Sequence, residues 1–182
     1  MVSREREVTS ARTPPPRFAP APKPRHMLLH DVDFATENIL DLRALWTAKR
    51  PGRTMLPAWT FFDPLEMRPW ADYMVEYKVE RSDQEFTYRF VALGAQATSI
   101  YGDDHSGTYL HDALSPTVLW TLVGHLDAAV KARGPIEVHE IVPFPDGSAV
   151  VKWDKLFLPL AENGRLVDRL LALVYAEKIA YT

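Results

Sequence analysis

Apolar positions along this chain change their period several times, and each change marks an element. Ala35, Ile39, Leu42 and Trp46 recur at helical spacing with Leu45 alongside, which predicts an amphipathic helix over about 34–49. Asp33 stands where a cap belongs, Glu37 lies near the positive end, and Pro51-Gly52 stops the helix. An aromatic stretch from Leu56 to Tyr73 follows, broken by Pro57, Pro64 and Pro69. It reads as an ordered loop with a short helix after Asp63-Pro64.

The period then falls to two. Strands are predicted over 74–80 and 85–93, joined by the polar turn Arg81 to Gln84. In the second, Phe86, Tyr88 and Phe90 share one face, with Val91 and Leu93 on the other. Both faces should therefore be covered. From Gly94 to Leu114, short helical turns are broken by Gly102 and Gly107. Ser115 as cap and Pro116 in the first turn open a long helix to about Arg133, whose buried stripe is Leu119, Leu122, Val123, Leu126 and Val130. After Gly134-Pro135 three strands are predicted, 136–143, 149–158 and 166–176. Turn signals at Pro145 to Ser148 and at Glu162 to Arg165 separate them.

The first 26 residues differ in kind. Six prolines between Pro14 and Pro24 predict an extended, disordered leader. The reading thus has three parts: a Pro/Arg-rich leader over 1–26, a helix and connector over 27–55, and a folded domain over 56–182. The leader holds six basic residues against Glu5 and Glu7, a surplus of +4, which leaves −7 for the remainder of a net −3. An acidic body repels phosphates, so no nucleic-acid partner is expected for it. No apolar run is long enough to span a membrane and no signal-peptide core is present, so a cytoplasmic protein without a membrane partner is expected.

Composition also limits the chemistry. With no cysteine among 182 residues, disulfides, zinc-thiolate sites, iron–sulfur clusters and thiol nucleophiles are excluded. No Gly-x-Ser-x-Gly elbow or phosphate-cradling loop occurs. His26 and His30, and the run Asp103-Asp104-His105, resemble metal ligands only superficially; the run reads more simply as a solvated loop. No metal, catalytic residue or enzymatic activity is expected. Two histidines are better placed: His125 at the margin of the long helix's apolar stripe, and His139 in the third strand, sharing its face with Glu137 and Ile141.

The order helix, two strands, short helices, long helix, three strands resembles a PAS domain. Leu56-Pro57, Asp63-Pro64, Glu66 and Tyr88-Arg89-Phe90-Val91-Ala92-Leu93-Gly94 are similar to the opening of the PAS_5 subfamily, a bacterial family formerly of unknown function. Tyr101-Gly102-Asp103-Asp104 with Gly107 and Leu110 resembles its G-x-D-x-x-G loop, and Gly134-Pro135 its junction before the third strand. Leu158-Pro159-Leu160, Gly164 and Val167-Asp168-Arg169 resemble its last hairpin. The likeness runs from about Ile39 to Tyr175. It departs at Trp59, where the family often has arginine, and at His105 and Ser106.

The resemblance implies an α+β fold, a five-stranded antiparallel sheet with helices over one face and an N-terminal amphipathic helix. It also implies a single-domain, non-enzymatic sensory or regulatory module that binds a small ligand, a signalling protein partner, or both. The expected pocket lies between sheet and helices, with Tyr88, Arg89, Tyr101, Trp120, His125, His139 and Trp153 as its candidates and Arg89 as the charge for an anionic ligand. No cofactor is specified. Heme on His125, a scaffold packed by its own aromatics, and a small cone-fold enzyme are the alternatives. A homodimer is expected, with the first helix packing on its own sheet or on that of a second copy.

Overall fold

In the computed structural model, which describes residues 34–82, 85–143 and 149–180, the first apolar stripe forms α1, Phe34–Ala48. Its buried residues are Ala35, Ile39, Leu42 and Trp46. They pack on the sheet of the same chain, and the Trp46 indole Nε1 donates to the Pro159 carbonyl at 2.9 Å. The connector leads through a 3-10 turn, Trp59–Phe61, to α2, Pro64–Met67. Here Asp63 and Glu66 form a reciprocal cap. A second 3-10 segment, Arg68–Tyr73, delivers the chain into β1, Met74–Arg81, and β2, Phe86–Leu93. Next come α3, Ala95–Tyr101, α4, Leu110–Ala113, and the long α5, Pro116–Ala132. The chain continues through β3, Ile136–Pro143, β4, Ala149–Leu160, and β5, Arg169–Ala180. The leader, the Asp33 cap and the tips of the turns at 83–84 and 144–148 lie outside the described residues.

The five strands form one antiparallel sheet in the order β2-β1-β5-β4-β3. Their register sorts the side chains into two faces. The inner face carries Val75, Tyr77, Val79, Tyr88, Phe90, Val138, Trp153, Phe157, Leu170 and Ala172, and α3 and α5 lie over it. The outer face carries Leu156, Leu158, Leu171 and Leu173 beneath α1. Residues of α1 and of both sheet faces belong to one core cluster, so the helix is an integral layer of the domain.

Four expectations need correction. Val91 and Leu93 do not share a covered face. A bulge opposite Glu76 and Tyr77 leaves Val91 unpaired and 36% exposed, and turns Leu93 onto the inner face beside Val75. The last strand begins at Arg169 rather than Leu166. The Asn163 side chain accepts the amides of Arg165 and Leu166, Asp168 accepts that of Glu162, and Gly164 adopts φ 70°, which builds a wide turn. Ser115 precedes α5 but makes no side-chain capping bond. Along α5, Leu119 and Val123 are only partly buried while Ala129 is fully so, because the helix is rotated slightly from the stripe predicted.

Candidate functional site

Alternation along β3 turns Ile136, Val138, Glu140 and Val142 inward, and along β4 it turns Val151, Trp153, Lys155 and Phe157 inward. Glu140 and Lys155 are therefore single charges on otherwise apolar faces. They are diagonal neighbours across the pair, since Glu140 stands opposite Trp153 and Lys155 opposite Val138. The Lys155 Nζ donates to Glu140 Oε2 at 2.9 Å and sits 4.7 Å from the centre of the Trp153 ring. From above, α5 lowers His125 onto the pair, with its Nε2 3.3 Å from Glu140 Oε1 and its ring 5.8 Å from that of Phe157. The His125 Nδ1 is buried with no hydrogen-bond partner. Two residues further along α5, Tyr88 Oη donates to Asp127 Oδ1 at 2.6 Å, and Asp127 accepts from Lys131 at 2.9 Å. Polar contacts thus tie α5 to β2 and β3, and through Glu140 to Lys155 of β4, along a half-buried seam.

Burial sets the proton affinities here. It pushes the Tyr88 phenol far above its usual range, with the Asp127 carboxylate adding to the shift. It also lowers the His125 imidazole, against the partial opposition of Glu140 and with help from Lys155. The lowered group is neutral in the fold at pH values where the unfolded chain already binds the proton. Its stabilising contribution is complete above about pH 6.5 and is lost as pH falls from there towards the native value. An NMR titration of the imidazole carbons should place His125 below the ordinary histidine range, and His125→Gln should flatten the loss of thermal stability on acidification through that window. A native titration at or above the ordinary value would contradict the seam's desolvation.

The sequence-derived candidates separate in space. Tyr88, His125 and Trp153 line the seam. Tyr101 faces the same side but is closed on Tyr77, hydroxyl to hydroxyl at 3.1 Å and ring against Phe90, so it fills the interior. Arg89 does not face inward. It follows Tyr88 in the strand and so points to the outer face, where it approaches Glu80 at 3.6 Å. His139 is likewise on the outer face, its Nδ1 2.7 Å from the buried carboxylate of Asp154, which also meets Lys152. Trp120 lies on the far side of α5 from the core, 82% exposed. Glu140 and Lys155 lie outside the sequence-derived set although each is a lone charge on an apolar strand face, and Asp127, on α5, carries no such signal.

The Gly102–Gly107 loop is structural in this geometry. Asp104 accepts both the amide and the hydroxyl of Ser106, which hold its carboxyl below the usual range. The Phe90 amide donates to the Thr108 carbonyl, and the Gly107 amide to the Phe90 carbonyl, clipping the loop along the β2 edge. Trp59, the departure from the family pattern, stacks on Phe62 at 5.9 Å. Heme fits poorly at His125, because its Nε2 is engaged with Glu140 while Tyr77, Phe90 and Phe157 fill the inner face. Among the described residues no His, Asp or Glu cluster is arranged to hold a metal, and no helix is long and apolar enough to cross a membrane.

A five-stranded antiparallel sheet with short helices and one long helix over its inner face defines an α+β protein of PAS-like fold. No family model matches the chain, and no curated protein matches it. Among solved structures it is similar to the crystal structure of the PAS domain of a protein from Colwellia psychrerythraea, at 15% identity over 65% of this chain and 98% of that one, with a TM-score of 0.40.

Proposed function

We propose that the chain is a non-enzymatic sensory or regulatory module, of the PAS_5 kind its motifs resemble, that takes its input at the seam beneath α5 and passes it to a protein partner. The observation that carries this reading is the chain His125–Glu140–Lys155 over Trp153, charge set into an otherwise apolar face where the long helix meets the sheet. Partly buried charges cost desolvation, and apolar residues of similar size would hold α5 at least as well. A ligand suited to the seam has a flat apolar part to lie on Trp153 and a polar group to exchange for one of the contacts within the charged chain. Such an exchange would loosen or re-seat α5, giving a small molecule a route to the surface.

A second reading, a scaffold with no ligand, is favoured by the complete burial of Tyr77, Phe90 and Phe157, which occupy the inner face on β1, β2 and the second half of β4. Native mass spectrometry of protein purified from its own host distinguishes the two. A co-purifying mass that is lost in Lys155→Ala supports the sensor. Protein of bare chain mass, whose partner capture is unaffected by Lys155→Ala, supports the scaffold and removes the seam as an input site.

A further inference from the structure

The outer face of the sheet carries three cations in one line. Arg169 of β5 stands opposite Lys78 of β1, and Lys78 stands opposite Arg89 of β2. All three have the strand parity that faces away from α5, as do Glu76 and Glu80. Like charges directly opposite one another are destabilising, and the two carboxylates relieve only the ends of the row. Glu76 takes Nη1 of Arg169. Glu80 accepts a bond from the Tyr109 hydroxyl at 3.0 Å and stays 3.6 Å from Arg89 Nε, too far for a hydrogen bond. The Nε of each arginine is buried and has no hydrogen-bond partner. Burial also lowers the Arg169 guanidinium from its usual value. Lys78, half-buried between the two arginines, makes no side-chain ion pair or hydrogen bond among the described residues.

We propose that this row is a binding site for a small phosphate-bearing anion, its phosphoryl group held over Lys78 and between the two guanidiniums. Adjacent strands lie ~4.8 Å apart, so the backbones of Arg169 and Arg89 are about 10 Å apart and their long side chains can converge on one tetrahedral group. A guanidinium offers its donors as a planar fork suited to phosphate oxygens, and the ammonium between them adds a point charge. A phosphoryl group has three acceptor oxygens and more than one negative charge, enough to meet all three cations. A carboxylate has two oxygens and one charge, and the site already holds two of these. Side-chain exposure falls from 40% at Arg89 to 22% at Arg169, so the row is open at the β2 edge and closes towards the middle of the sheet. The body carries −7 outside the leader, which opposes an anionic membrane as the source of the phosphate and favours a small soluble ester.

The row lies on the opposite face of the sheet from the His125 seam, so its test does not depend on the seam. The probe is inorganic phosphate, added to the full chain at constant ionic strength. The side-chain Nε–H resonances of Arg89 and Arg169 should shift along a saturating curve in proton–nitrogen NMR spectra. Acetate at equal ionic strength should leave them in place. Lys78→Gln should weaken phosphate binding roughly 10-fold or more. The same variant should raise the melting temperature of the phosphate-free protein, because the like-charge contact is gone; a lysine kept for structure would do the reverse. Shifts that do not saturate, equal shifts with acetate, undiminished affinity or lowered stability in Lys78→Gln, or binding confined to phosphatidic acid vesicles would each overturn the proposal.

Discussion

Replacing Trp46 by alanine should cost about 3–5 kcal/mol and release α1 from the outer face. The indole is 1% exposed, lies among the leucines of β4 and β5, and is the point at which α1 is fastened to Pro159. Truncation opens a void and also leaves the Pro159 carbonyl without its donor, a penalty of ~1–3 kcal/mol when such a group stays dry. Trp46→Phe separates the two effects, since it keeps most of the packing and loses only the hydrogen bond. The total is a large share of the ~5–15 kcal/mol that domains possess. Urea unfolding followed by circular dichroism measures it, with exposed Leu40→Ala, expected to be near neutral, as the control. A loss below about 1 kcal/mol would mean that α1 does not depend on this anchor.

Gly94→Ala should be comparably damaging for a different reason. Gly94 ends β2 and begins α3 with φ −69°, a conformation open to any residue. The difficulty is space. An added β-carbon would fall 2.0 Å from the Ala71 carbonyl oxygen and 2.5 Å from the backbone of Asp72, and neither is a movable side-chain tip. The Gly94 amide also donates to the Met74 carbonyl at 2.8 Å, which fixes it against the start of β1. Accommodating one methyl group therefore requires the 68–73 segment to part from α3. Overpacking usually costs ~1–3 kcal/mol, and a backbone collision places this case at or above the upper end. Gly124→Ala is the informative partner, because open space within α5 and helix propensity predict a gain of up to ~1 kcal/mol there. Thermal unfolding of the two variants should move in opposite directions.

Period and punctuation made most of the fold legible. The spacing of Ala35, Ile39, Leu42 and Trp46 identifies the four residues that α1 buries, and β3 has the limits that Gly134-Pro135 and Pro143 suggest. The errors arise where a local device overrides periodicity. The bulge at Val91 reverses the parity of Leu93, and the side-chain bonds of Asn163 and Asp168 delay β5. The site was less legible. Selecting Tyr88 and Arg89 together, or His139 for an inner pocket, weighs residue type above strand parity, and adjacent strand residues cannot both face inward. Trp120 shows the same preference for type over position. Glu140 and Lys155 were readable as lone charges among apolar alternates, but their meeting with His125 depends on how α5 crosses the sheet, which sequence periodicity does not encode.

The strand order has a temporal consequence. β1 lies between β2 and β5, its register running from Met74 opposite Leu173 to Lys78 opposite Arg169, and Trp46 waits on Pro159. During synthesis the β1–β2 hairpin emerges long before the strand that completes its other side, and α1 has no platform until β4 appears. The nascent chain must hold an apolar helix and a half-paired hairpin in reserve until β5 clears the ribosome. Closure then comes late and all at once, through contacts of high sequence separation that slow folding. Loss of β5 would accordingly remove the middle of the sheet, leaving two unconnected hairpins with bare edges rather than a shortened domain.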